Sequence, residues 1–331
     1  MTVSRKLLNY KIPKPVLYGS SIAATIGFVC LIKEWAGGAR YRKHVPLNGK
    51  VVIITGANTG IGKETALELA KREAKVYLAC RDMKRCEAAR EKIVLESKNK
   101  YVYCRKCDLA SLSSIREFVN RFNKEEKQLD ILINNAGVMS TPKDSKTKDG
   151  FEMQLGVNHL GHFLLTNLLL DKLKVPACSR IVNLSSVAHE RGVINKSDLN
   201  SDKEYDAKAA YAQSKLANIL FTKELSNRLK DTNIVVNAVH PGLVDTELFR
   251  NMSFYKSWLA TILIKPFLWP FIKSSSQGAQ TVIYTAIDPS LSNTSGKYYK
   301  DYQETKVSDA ANDDKTAKWL WTVSEKWTRL A

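Results

Sequence analysis

The sequence has no low-complexity tract, no internal repeat of short period, no long basic run and no nucleic-acid motif. The first two absences exclude solenoids and other repeat architectures. The others bear on the formal net charge of +18, because without a basic stripe or recognition motif no nucleic-acid partner is expected. Much of the excess is Lys scattered over solvated helix faces. Some lies beside an apolar N-terminal segment, where it favours an anionic membrane surface. Metal ligands are also scarce. Of six cysteines (Cys30, Cys80, Cys86, Cys104, Cys107 and Cys178), only Cys104 and Cys107 form C-x-x-C, and no second pair or nearby His completes a zinc set. Reduced thiols and no metal are expected. His159 and His162 stand one helical turn apart, but no inward carboxylate has the spacing of a further ligand, so ring packing and hydrogen bonding are favoured.

With 331 residues, 44% hydrophobic and 25% charged, the chain suits one large α/β domain with extensions. Val16 to Ile32 contains no charge and is flanked by Arg5, Lys6, Lys11 and Lys14 before it and Lys33, Arg40, Arg42 and Lys43 after it. As a helix this run spans about 26 Å, slightly short of a hydrocarbon core of about 30 Å. A spanning anchor, a helix lying in the interface and a cleaved signal all fit this pattern. No small-x-small cleavage site follows, which favours an uncleaved anchor. Basic flanks on both sides leave its orientation open.

Beyond Pro46, short β-branched runs alternate with helical periodicity. Strands are expected at Lys50 to Thr55, Lys75 to Cys80, Tyr101 to Cys107, Leu129 to Asn134, Arg180 to Leu184, Ile234 to Val239 and Gly296 to Tyr299. Helices are expected at Gly60 to Arg72, Met83 to Ser97, Leu112 to Lys127, Phe151 to Leu173 and from Tyr211 to about Leu229. This alternation predicts a Rossmann-type α/β fold, a doubly wound parallel sheet with right-handed crossovers.

Thr55-Gly56-Ala57-Asn58-Thr59-Gly60-Ile61-Gly62 closes the first strand and opens the first helix. Glycines there let the backbone approach a pyrophosphate, and the helix N-terminus offers free N–H groups. The second strand ends in neutral Cys80, followed by Arg81 and Asp82. No acid stands there to repel a 2′-phosphate, and Arg81 has the charge to pair with one, so NADP(H) is favoured over NAD. The alternative is a surface ion pair between Arg81 and Asp82. Asp108 either accepts from an adenine amino group or caps the next helix. Further along, Tyr211 and Lys215 share one helix face. An ammonium beside a phenol favours phenolate, which would bring Tyr211 down from a reference pKa of about 10.

These segments, with Asn134-Asn135-Ala136-Gly137, Asn158, Ser186 and Pro241-Gly242, resemble the short-chain dehydrogenase/reductase family over about residues 48 to 300. Within it, Ala79-Cys80-Arg81-Asp82, Val157-Asn158-His159-Leu160-Gly161-His162-Phe163 and Ser214-Lys215-Leu216-Ala217-Asn218 resemble the membrane-associated retinol dehydrogenases. The resemblance implies catalytic roles for Tyr211 (proton donor or acceptor), Lys215 (tuning Tyr211 and binding the nicotinamide ribose), Ser186 (orienting the substrate oxygen) and Asn158 (holding a relay water). It places Asn135 and Ala136 on the adenosine side of the cofactor, and Pro241, Val244 and Thr246 near the nicotinamide. It implies a retinoid or other lipid carbonyl substrate, a membrane partner and a homodimer formed through two long helices. Part of the resemblance points to the mitochondrial inner membrane, whereas the wider group points to the endoplasmic reticulum. The expected division is an anchor and basic linker (1–45), a dehydrogenase domain (46–300) and a tail expected to be helical (301–331). The apolar run from Trp258 to Phe271 is read either as part of a substrate lid at about 245–275 or as a buried helix. Sterol or quinone reduction, or a non-catalytic nucleotide-binding adaptor, remain alternative functions.

Overall fold

The computed structural model describes residues 13–244 and 272–330. The sheet is built outward from β1 (Val51–Thr55), whose five residues are all buried. Both faces are covered, so the strand reads as an unbroken apolar run rather than an alternating one. Val52 and Ile54 join the core on one side of the sheet, whereas Val51 and Ile53 join the core on the other.

The chain then alternates as α2 (Gly60–Lys71), β2 (Lys75–Cys80), α3 (Met83–Ser97), β3 (Val102–Lys106), α4 (Leu112–Glu125) and β4 (Ile131–Asn134). A helical stretch ending in α5 (Gly161–Leu173) leads to β5 (Ser179–Leu184), α6 (Ala207–Arg228) and β6 (Ile234–His240). Helix α7 (Ser275–Ile287), β7 (Tyr298–Lys300), β8 (Gln303–Glu304) and α8 (Asp314–Thr328) complete the domain, and α1 (Lys14–Gly37) precedes it. The sheet order is β3-β2-β1-β4-β5-β6-β7-β8. Every pairing is parallel except β7 with β8. This is the Rossmann-type arrangement that the alternation predicts, with the order reversing between β1 and β4. Such a reversal opens a crevice at the carboxyl ends of the strands.

Three details depart from expectation. The helix expected over Phe151 to Leu173 is not continuous: a short turn (Met153–Leu155) leads into a π-turn (Gly156–Leu160) before α5. An extra residue per turn is a local backbone feature that side-chain periodicity does not reveal. The thiols are not all reduced, because Cys86 on α3 and Cys104 on β3 form a disulfide across a Cα separation of 6.0 Å. Eighteen residues apart in sequence, they meet because α3 packs back on β3. Cys30, Cys80, Cys107 and Cys178 are free. Third, α1 runs beyond the charge-free segment. Its apolar stretch Lys14–Glu34 covers 21 residues, none of its described side chains buried, about 32 Å at 1.5 Å per residue, long enough to cross a hydrocarbon core.

Candidate active site

The crevice at the strand ends is a cavity of about 850 Å³. Its β1 side is the glycine turn. Gly56 (φ +64°) and Gly60 (φ +57°) both adopt left-handed backbone that glycine takes without strain. A Cβ at Gly62 would fall 2.4 Å from Asn135 Nδ2 and 2.8 Å from Gly56 O, so only glycine fits there. Thr59 precedes α2 in extended conformation and its side chain makes no capping hydrogen bond. The first N–H groups of α2 therefore face the cavity as an anion-binding end. The next loop supports this turn: Asn135 Nδ2 donates to Thr55 O (2.7 Å), and the Asn135 and Ala136 amides donate to Thr55 Oγ1 (both 2.9 Å).

Arg81 extends the cavity wall at the end of β2. Asp82 accepts from Arg85 N as the N-cap of α3, so its carboxylate serves the helix. The Cys80 thiol lies beneath the turn. Burial pushes its pKa up to about 12, against the opposing pull of hydrogen bonds from the Ala57 and Asn58 amides. Asp108 also lines the cavity, and its Oδ1 accepts from Ala110 N while Ser111 caps α4. Asp108 is therefore not the cap of α4, a role Ser111 takes; its carboxylate orders the turn before the helix from the cavity wall.

Across the cavity stand Ser186, Tyr211 and Lys215. Helix α6 begins at its cap Asp206, which accepts from Lys208 N and Ala209 N, and this start sets Tyr211 and Lys215 one turn apart facing β5. Lys215 Nζ donates to Leu184 O (3.1 Å) and lies 5.6 Å from the centre of the Tyr211 ring. Ser185 Oγ donates to Lys215 O, so it fastens α6, whereas Ser186 faces Tyr211. The four-residue spacing predicts a Tyr211 phenol lowered by the Lys215 ammonium. Instead, burial pushes the Tyr211 pKa up to about 12, and the opposing influence is the Ser186 hydroxyl. Burial also depresses Lys215 to about 8. The ammonium faces the ring and a backbone carbonyl rather than the phenolic oxygen, so low dielectric outweighs its charge.

Asn158 stands behind this wall rather than in it. Its Oδ1 accepts from Val138 N (2.8 Å), and its Nδ2 donates to Val138 O (3.0 Å) and Ser214 Oγ (2.9 Å). His162 links Asn158 O (3.0 Å) to Thr55 Oγ1 (2.8 Å), and His159 Nε2 pairs with Ser324 Oγ. Asn158 and His162 thereby join the π-turn to both walls.

The cavity brings together Gly56, Asn58, Thr59, Gly60, Ile61, Gly62, Arg81, Asp108, Asn135, Ala136, Ser186, Tyr211, Lys215, Pro241 and Val244. Ala57 is buried beneath the turn. Thr246 and the lid expected from 245 lie outside the described residues, apart from 272–275. Sequence reasoning missed the turn Val187–Arg191, whose Glu190 and Arg191 reach the rim, and His189 beneath it. His189 Nδ1 is 2.7 Å from Ser186 O, and its ring packs edge-on to Tyr298 of β7. A His three residues after the serine was the only signal in the sequence; its burial is a property of the fold.

This juxtaposition of a dinucleotide-type turn with Ser, Tyr and Lys defines an oxidoreductase with a nicotinamide cofactor. The short chain dehydrogenase family profile matches residues 50–254, and the chain belongs to the short-chain dehydrogenase/reductase family. Within it, the chain groups with the retinol dehydrogenases. It is 51% identical over 313 residues to retinol dehydrogenase 13 of Mus musculus, covering 94% of this chain and 93% of that one. It is 54% identical over 293 residues to retinol dehydrogenase 12 of Homo sapiens, covering 88% and 90%. Among solved structures, an uncharacterised protein from Mycobacterium paratuberculosis is 37% identical with a TM-score of 0.70, covering 88% of this chain and 98% of that one.

Proposed function

We propose that this enzyme interconverts retinal and retinol, or a related lipid aldehyde and alcohol, with NADP(H), and that Tyr211 moves the proton. The observation that carries this reading is one cavity with the glycine turn and Arg81 along one side and Ser186, Tyr211 and Lys215 along the other. The residues present fit a dinucleotide: the Gly56–Gly62 turn and the α2 N-terminus would receive its pyrophosphate, and Arg81 would pair with a 2′-phosphate. When bound, the nicotinamide supplies or accepts hydride.

Tyr211 is protonated at neutral pH, as a group at about 12 should be, and donates its proton to the carbonyl oxygen during reduction. Ser186 holds the carbonyl oxygen beside that proton. Lys215, depressed to about 8, still carries its charge at neutral pH. It holds Tyr211 in place from the ring face. Asn158 positions the loop at Val138 and the α6 residue Ser214 around these groups.

The test is a kinetic comparison of NADPH with NADH across retinal and several soluble aldehydes. NADPH with retinal should be preferred. Arg81→Ala should raise KM for NADPH about 10-fold or more, the worth of a charge-assisted contact, and leave KM for NADH nearly unchanged. Equal effects on both cofactors would remove Arg81 from the 2′-phosphate site.

A further inference from the structure

The chain joining α1 to the catalytic domain is docked against the domain along its length. Tyr302 Oη donates to Ala39 O (2.7 Å). Tyr41 N donates to Gln280 Oε1 on α7 (2.9 Å). The Tyr41 ring packs 6.0 Å from Tyr284 and lies under the Arg72 guanidinium, at 5.6 Å. Lys43 Nζ meets the buried Asp288 carboxylate at 2.9 Å, and Arg72 donates to Lys43 O (3.0 Å). Leu47 is buried, with its amide donating to Arg72 O (2.8 Å). Burial alone would raise the Asp288 carboxyl, but hydrogen bonds from Ser290 and Lys43 outweigh it and hold the group at about 2. Asp288 is therefore an anion that anchors the middle of the linker.

The last turn of α1 is held in the same way. Lys33 Nζ donates to Ile272 O (3.3 Å), and a Cβ at Gly37 would fall 1.8 Å from Gln277 Nε2 at the start of α7. Ile272 and Lys273 in turn run beside the cavity wall, where Lys273 N donates to Leu243 O (2.8 Å) and Val244 bridges to Lys273 in parallel. Leu243 and Val244 line the cavity, and Leu243 is 52% exposed at its rim. One layer of residues thus separates the end of the apolar helix from the rim of the active site. Arg40, Arg42, Lys43 and His44 are exposed along the same seam.

We infer that residues 38–47 clamp α1 to the catalytic domain so that the cavity rim at Leu243 rests against the anionic bilayer surface that α1 enters. A free tether of ten residues would let the domain wander over roughly 17 Å; the clamp removes that freedom. The rim's exposed Leu243 is linked to the end of the apolar helix through Lys273 and Ile272, and the basic seam complements anionic headgroups. An apolar substrate then passes between bilayer and cavity without crossing bulk water. The docking does not depend on which lipid is the substrate.

The test uses the full chain in phosphatidylcholine–phosphatidylserine vesicles with brominated acyl chains. Cys30→Ser and Cys178→Ser provide a background without accessible thiols, and Leu243→Cys receives a fluorophore. A second label at Asp171→Cys serves as the control, since Asp171 lies near the amino ends of the strands, opposite the cavity. Bromolipid should quench the 243 label at least threefold more than the 171 label. Equal quenching would overturn the proposal without touching the assigned chemistry. In Tyr41→Ala with Lys43→Ala and Tyr302→Phe, the 243 quenching should fall to the control level. Vesicle-borne retinal turnover (kcat/KM) should then fall about tenfold while turnover of a water-soluble aldehyde holds. Retained quenching at 243, or equal loss on both substrates, would overturn the clamp. Absence of retinal turnover in the intact chain would instead count against the retinoid reading, leaving the quenching result to decide the docking.

Discussion

Tyr211 and Lys215 show how burial and charge compete at a site. Both are enclosed by α6, β5 and the Ser186 turn, and both shift toward their neutral forms: the phenol to about 12 and the ammonium to about 8. Since kcat/KM reports the groups of the free enzyme, reduction should decline as pH rises through about 8, where Lys215 loses its charge, while Tyr211 stays protonated. A pH profile of kcat/KM for retinal reduction, flat up to pH 10, would remove Lys215 charge from the account. The pair itself was legible in the sequence, because four-residue spacing on a helix puts two side chains on one face. The direction of the Tyr211 shift was not, because spacing says nothing about desolvation. Ser186 needed the family pattern to separate it from Ser185; in the structure the two serines divide their work as an extended backbone allows, one toward Tyr211 and the other onto the α6 backbone.

At the scale of elements, strand β2 spans the apolar run that ends at Cys80, and helix α3 begins where the Asp82 cap puts it. The strand expected at Gly296 to Tyr299 and the helical tail expected over 301–331 are both present, as β7 and α8, whereas two features were hidden. The π-turn needs a backbone register that periodicity does not encode. Strand β8, at two residues, is too short to carry a pattern, so its antiparallel pairing with β7 was not foreseen. Helix α8 was expected as a helical tail, but not as a supplier of core. Trp321 is 5% exposed, meets Phe163 edge-on at 4.9 Å and lies under the Arg228 guanidinium at 4.2 Å. Its ring contacts tie α8 to α5 and α6, the helices that carry the Asn158 side and the Tyr211 side of the site. Trp321→Ala should cost about 3–5 kcal/mol of unfolding free energy, as large core truncations do. Denaturant titration measures this; a loss below about 1 kcal/mol would mean that α8 is only appended to the core.

For the whole molecule, the two walls of the site are joined through buried neutral rings. His162 bridges β1 to the π-turn, and His159 ties that turn to α8. Burial depresses His159 to about 4 and His162 to about 3. The unfolded chain binds these protons near pH 6.5 and the folded chain does not. Their contribution is therefore fully present above about 6.5 and is lost progressively as pH falls toward 4, on the order of 3 kcal/mol for each ring. The melting temperature should fall steeply over that window, and His162→Gln should flatten part of the fall; an unchanged slope would mean the ring is protonated in the fold. The account as a whole turns on Tyr211 donating a proton beside a bound dinucleotide. The most direct measurement is single-turnover NADPH oxidation by retinal in Tyr211→Phe, with NADPH affinity measured in the same protein. Affinity within about threefold of the unaltered enzyme, together with a rate at least 100-fold lower, is the predicted result, in line with the usual worth of a positioned general acid; an unaltered rate would contradict it.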